Sequence, residues 1–208
     1  MARPSNTEER RAQIVTGLRR VLARQGYAGA TVLDIARAAR LAPGLVHYHF
    51  EDKRAVLLAL VEELAATLRA RLEHLDGGAS TARARLHAFV DAALALGPGA
   101  DADLVACWVG ISAEAVRDPE VREVLARATL PLVAELRDRI THALVEAGAP
   151  RRRARADAAS LGAVLWSAMQ GAFVVASTAP EVIPPGAMAP ALCALVDRLL
   201  VPADKEAA

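Results

Sequence analysis

The chain has 208 residues, 54% of them hydrophobic and only 3% aromatic, with a formal net charge of +1 and two cysteines. That much apolar material supports a buried core without staples. Cys107 and Cys193 stand far apart with no CxxC or Cys/His grouping, which argues against a disulfide framework and a zinc site and points to a reducing, cytoplasmic setting. No basic start followed by an apolar run opens the chain, so no secretory signal is expected. The charge is unevenly spread: residues 1–54 carry ten Lys/Arg against five Asp/Glu, a net +5, and the remainder is −4. A basic front on a mildly acidic body suits a head that binds a polyanion, although a solvated arginine face would give the same totals.

In chain order, Ser5 and Glu8 have the spacing of a capping box, and Ile14, Leu18, Val21 and Leu22 recur on one helical face until Gly26 ends the first helix. Thr31 and Asp34 repeat the device and open a second helix whose inward stripe is Val32, Ile35, Ala36 and Ala39. After a turn at Arg40 to Ala42, Pro43 fits the first position of a short third helix, where its missing amide costs little. Asp52 is the expected N-cap of a longer fourth helix in which Leu57, Leu60, Val61, Leu64, Leu68 and Leu72 keep helical period as far as "DGG".

Further helices are expected over about Thr81 to Leu96, then, after "GPG", over about Ala102 to Val116. Asp118-Pro119 reads as N-cap and first residue of a long helix toward Gly148, and Pro131 inside it predicts a kink or a split. Arginines 151, 152, 153 and 155 lead into a stretch with no charge between Asp157 and Glu181, and a last helix follows "PPG" over about Ala187 to Val201. Length and apolarity would let the uncharged stretch span a bilayer, but Ser160, Ser167, Gln170, Ser177 and Thr178 favour a buried helix of a soluble protein. The chain is therefore expected to be all-α: a three-helix head at 1–54, joined by a long fourth helix to a helical bundle within 55–208.

The segment "TVLDIARAARLAPGLVHYHF" carries the functional reading. A helix, a tight turn and a second helix make the helix-turn-helix plan, which sets the outer face of the second helix into a DNA major groove. Pro43, Gly44 and Leu45 offer little bulk there, so the backbone can approach base edges and Leu45 can touch a thymine methyl. His47, Tyr48 and His49 can donate to phosphates, and Lys53 adds an ammonium. The same residues also fit a plain αα-corner with Tyr48 and the histidines half-buried. A metal pair at His47 and His49 is disfavoured, since helical residues two apart point to different sides. No GxSxG, HExxH, P-loop or dinucleotide motif is present, so neither an enzyme nor a cofactor is expected.

Residues from about Thr7 to Leu60 resemble the DNA-binding head of the TetR family of bacterial repressors, with "TVLDIARAARLAPGLVHYHFEDKRAVL" following that family's motif almost throughout. The resemblance implies a homodimer that places residues 43–49 of each head into successive major grooves, with a body that binds a small effector. It implies phosphate contacts by Thr31, His47, Tyr48 and Lys53 and base contacts by Pro43, Gly44 and Leu45. Arg40 stands where that family often has glycine, which adds a possible phosphate contact and makes a left-handed turn less assured. Ala42, Leu45 and His47 replace a commoner serine, threonine and tyrosine. "ACWVGISAEAVRDPEVREVL" and "GAVLWSAMQGAFV" resemble the effector domain of the choline-responsive BetI-type subgroup.

In the body, Phe89, Trp108, Ile111, Trp166, Gln170 and Phe173 are candidates to line an effector pocket, being large side chains with one uncharged polar group. Ala163, Ser167 and Gly171 form a small-residue stripe suited to a close helix partner, and with Leu192, Leu195 and Leu199 they are the candidate dimer face. The expected mechanism is a ligand-driven population shift that moves the heads off half-sites about one helical turn, ~34–36 Å, apart. The rival reading is a membrane-associated or scaffold helical bundle that binds no DNA.

Overall fold

A computed structural model of the chain describes residues 6–94 and 102–200, and among these residues every regular element is helical. The elements are α1 (Asn6–Gly29), α2 (Val32–Ala39), α3 (Pro43–His49), α4 (Lys53–Asp76), α5 (Ala82–Ala93), α6 (Ala102–Ala115), α7 (Pro119–Glu146), α8 (Arg151–Thr178), a short 3-10 turn (Pro180–Val182) and α9 (Met188–Leu200). The expected cap at Ser5 and the "GPG" break lie outside the described residues.

The polar caps are where local chemistry places them. The Oδ1 of Asp52 accepts from the Ala55 amide at 2.7 Å and the Oγ1 of Thr81 from the Ala84 amide at 3.0 Å. Asp118 accepts from the amides of Glu120 and Val121 ahead of Pro119. Each satisfies an amide that the first helical turn leaves without a partner. α1 breaks at Gly26, whose φ of 70° and ψ of 177° fall in a region open only to glycine. α7 runs on through Pro131 as one helix, so the expected interruption is not a split; the proline is exposed.

Packing divides the chain into two compact units. The first holds α1–α3, α4 through Ala66, α6 and α7 through Ala128; the second holds α4 from Thr67, α5, α7 from Thr129, α8 and α9. The first unit takes in α6 because that helix packs on α1. The core of the first unit includes Ile14, Leu18, Ile35, Val46, Leu57, Leu60 and Ile111, all at or below 1% exposure. Burial of such a side chain is worth about 1.5–3 kcal/mol.

The second unit is built on Leu86, Phe89, Leu136, Ile140 and Met169. Arg139 of α7 ties this unit together: it makes a two-pronged pair with Asp76 at the end of α4 (2.8 and 2.6 Å), bonds Glu135, and donates to the Arg85 carbonyl at 2.8 Å. The hydrogen bond from Arg139 holds the Asp76 carboxyl below its ordinary value. Asp197 of α9 is gripped by Arg83 and by His87 of α5 and is likewise held low, although burial works against it. The thiols of Cys107 and Cys193 are buried, and burial pushes that of Cys193 up to about 11.

α8 departs from the sequence reading. Its uncharged stretch is expected to be buried, yet only 28% of its most apolar window is covered. One stripe, Ala154, Ala158, Gly162, Leu165, Met169 and Ala172, faces inward, while Ala163, Val164, Ser167, Gly171 and Val174 face outward. By length and composition this helix could cross a bilayer, as the core helix of a soluble protein often could. In α9, Leu195 and Leu199 are exposed at 52% and 57%, but Leu192 is in the chain's own core at 6%. Leu192 is therefore removed from the candidate dimer face: it lies three residues before Leu195, close to one turn, yet on the side shared with Cys193 and Val196.

Candidate nucleic-acid interface

α2 is held at both ends by its own residues. The Thr31 hydroxyl accepts from the Asp34 amide at 3.1 Å and donates to Asp34 Oδ2 at 2.5 Å, while the Thr31 amide reaches the same carboxylate at 3.2 Å, completing a capping box. The hydrogen bond from the Thr31 hydroxyl lowers the Asp34 pKa, helped by Gln25. At the other end Arg40 adopts the left-handed conformation (φ 56°, ψ 43°), and the Leu41 amide bonds the Ala36 carbonyl at 2.9 Å. The turn geometry thus forms without the usual glycine.

α1 supplies what α2 and α3 cannot. Gln13 donates to the Ala39 carbonyl (2.6 Å), Arg20 to that of Ala38 (3.2 Å), and Arg11 to that of His49 (2.6 Å), so side chains of α1 cap the carboxy ends of both helices. The Arg11 guanidinium also lies 4.1 Å from the centre of the Phe50 ring. Gly17 lets α1 and α2 approach: a Cβ there would stand 2.8 Å from the Ile35 carbonyl oxygen and 2.9 Å from the Ala39 Cβ. Periodicity gives no sign of this contact.

α3 stands nearly free of the core. Ala42 provides no side-chain cap, Pro43 begins the helix, and only Val46 is buried. Pro43, Gly44, Leu45, His47 and Tyr48 are exposed, Tyr48 at 79%, and a Cβ on Gly44 would meet nothing within 4 Å. His49 is half-buried, with its ring edge-on to Tyr48 at 5.0 Å. The αα-corner reading, which needs Tyr48 partly covered, does not describe this arrangement.

Two nominated phosphate donors are engaged within the head. The Lys53 ammonium donates to the carbonyls of Tyr27 (2.9 Å) and Ala30 (3.0 Å) and lies 4.2 Å from the centre of the Tyr27 ring. With three N–H bonds in all, one donor remains for any other partner. The Thr31 hydroxyl proton is directed to Asp34. Both residues thus build the loop between α1 and α2, a tie that spacing along the chain does not reveal.

The effector candidates divide between the units. Phe89 is fully buried in the second core, against which Trp166 and Phe173 pack partly buried, and Gln170 is half-buried on the same helix. Ile111 is fully buried in the first core with Trp108 against it.

Comparison with known proteins agrees with this arrangement. Residues 14–60 match the family described as "Bacterial regulatory proteins, tetR family", and residues 82–201 match "BetI-type transcriptional repressor, C-terminal". The HTH-type transcriptional regulator BetI of Burkholderia mallei (strain NCTC 10229) is 30% identical over 159 residues, 76% of this chain and 78% of that one. The HTH-type transcriptional regulator BetI of Rhizobium meliloti (strain 1021) is 33% identical over 116 residues, and the match spans 56% of this chain and 57% of that protein's length. In fold, the chain is similar to a putative TetR-family transcriptional regulator from Rhodococcus sp., with a TM-score of 0.73 at 24% identity, covering 93% of this chain and 99% of the other.

Proposed function

The chain belongs to the TetR family of bacterial regulatory proteins, with a carboxy-terminal part of the BetI type, and is a helix-turn-helix transcriptional regulator rather than an enzyme; from that premise we propose that it represses transcription from an operator it grips as a homodimer and leaves when a small molecule binds its body. The observation that carries the reading is the presentation of α3, with one buried residue out of seven and a slender, open amino end. Pro43, Gly44 and Leu45 then face base edges, and His47, Tyr48, His49, Arg40 and the remaining donor of Lys53 reach phosphates, with Thr31 ordering the entry to α2.

A second copy would cover the outward apolar faces of α8 and α9, where Ala163, Val164, Ser167, Gly171, Leu195 and Leu199 are exposed. A chain purified without detergent that sediments as a dimer, and as a monomer after Leu195→Glu with Leu199→Glu, fits this; partition into lipid vesicles favours the membrane alternative. The action takes place in the cytoplasm, where the DNA is. Trp108 and Trp166 are the chain's two tryptophans and both are effector candidates, so intrinsic fluorescence reads ligand binding directly.

Selection of duplexes from random DNA tests the central reading. The expected product is a two-fold site with half-sites one helical turn, about 10–10.5 bp, or a multiple of it apart. Absence of any enriched sequence overturns it. A ligand that binds the body yet leaves operator affinity unchanged at fixed salt overturns the switch.

A further inference from the structure

Affinity for DNA rests heavily on neutralised phosphates, and that contribution is what makes binding salt-dependent. α3, however, contains neither lysine nor arginine. Of the cations around it, Lys53 is committed to two carbonyls, Arg11 to the His49 carbonyl, and Arg54 to Glu120 and Glu123, which leaves Arg40, three residues before Pro43. The charge needed to hold a polyanion has to come from another part of the head.

Four guanidiniums converge on one place. Arg20 and Arg24 of α1, with Arg37 of α2 and its cap residue Arg40, line a cleft of about 520 Å³ between the two helices. All four residues are exposed. Among the described residues, the side chains of Arg24 and Arg40 have no hydrogen-bond or ion-pair partner. Arg20 uses one nitrogen on the Ala38 carbonyl, and Arg37 is 71% exposed and 3.9 Å from Asp34. Asp34 is the single acid on the cleft, and its carboxylate is already engaged by Thr31 and Gln25. The wall is thus strongly cationic, and only part of its donor capacity is used within the head.

We propose that this cleft between α1 and α2 is a second DNA-contact site, taking the sugar-phosphate backbone beside the base pairs read by α3 and supplying most of the salt-dependent affinity. The inference rests on the reading of α3 as the base-contacting helix. Arg20 and Arg24 stand about one helical turn, ~5.4 Å, apart on α1, and Arg37 and the Arg40 cap face them across the cleft, a spread of charge that suits a repeating polyanion better than a single small anion. Guanidinium forks match phosphate oxygens in two-pronged fashion. Arg40 stands three residues before Pro43, so the cleft is continuous along the chain with the start of α3.

The test uses the full chain and a fluorescein-labelled duplex of about 30 bp of mixed sequence, titrated between 50 and 200 mM salt. Arg24→Gln with Arg37→Gln changes exposed side chains outside both cores. The plot of log affinity against log salt should flatten by about 0.9 for each phosphate that is no longer neutralised, close to two units per head, equally for all sequences. Trimming the duplex at its ends should weaken the parent protein by a larger factor than the double variant. A slope that does not change in the double variant, with unaltered circular dichroism and melting, overturns the proposal while leaving α3 as reader intact. Tripolyphosphate bound by the parent but not by the variant, without any effect on the DNA slope, overturns it in favour of a small-anion site. A parent chain that binds no duplex overturns this inference and the reading of α3 together.

Discussion

α2 and α3 are neighbours of nearly equal length, eight and seven residues, and they are held in opposite ways. α2 carries its own fastenings: a capping box at Thr31 and Asp34, a left-handed cap at Arg40, and Ile35, Ala36 and Ala39 buried against α1. α3 has no side-chain cap and a single buried residue; its carboxy end is closed from outside by Arg11. The difference separates two tasks. A helix that must fix an angle uses its side chains inward and at its ends, whereas a helix that must meet a partner keeps them outward and lets neighbours hold its backbone.

That contrast can be broken most severely at Gly17. Gly17→Ala places a methyl 2.8 Å from the Ile35 carbonyl oxygen, which forces α1 and α2 apart, and we expect a loss of about 3 kcal/mol in urea unfolding. Lys53→Met keeps the apolar stem but removes the ammonium from the Tyr27 and Ala30 carbonyls, the first of which keeps only its bond from the Ala30 amide; the expected cost is about 2 kcal/mol. If Lys53 served phosphate alone, melting would be unchanged and only the salt slope would fall.

Thr31→Ala removes the cap of α2 at about 1 kcal/mol. It also sets a pH signature. The Thr31 hydroxyl depresses the Asp34 pKa, so the stability this carboxylate contributes is complete above its ordinary range and disappears as pH falls through the lowered value. Acid titration of the variant should show that portion missing. The smallest effect is a gain: Arg40→Gly relieves a left-handed residue and should stabilise the fold by about 0.5–1 kcal/mol while weakening DNA binding. A destabilised Arg40→Gly chain would mean that the arginine side chain holds the turn.

What can be read from the residues in order follows from range. The caps at Thr31, Asp52 and Asp118 are legible because each bond spans two or three residues, and the short third helix is legible because Pro43 marks its start. Arg11 meets the His49 carbonyl 38 residues away and Lys53 meets that of Tyr27 26 residues away, so no spacing rule exposes either. Periodicity misplaces Leu192 because leucines at 192, 195 and 199 share an approximate helical phase, and a small rotation of α9 decides which ones its own core takes. The arginine cleft is hidden from a linear reading for a related reason: its two walls are separate helices, and charge totals record how many cations a segment has without saying that they meet.

The concealment of both native thiols has a practical reward. Cys107 and Cys193 are buried, and the latter stays protonated far above neutral pH, so neither competes for a thiol-directed dye. Cysteines introduced at Val116, 74% exposed in the first unit, and Val182, 65% exposed on the 3-10 turn, would be the reactive pair. Energy transfer between fluorophores on those two positions would then follow, in real time, whether a captured metabolite changes the distance from one half of the molecule to the other.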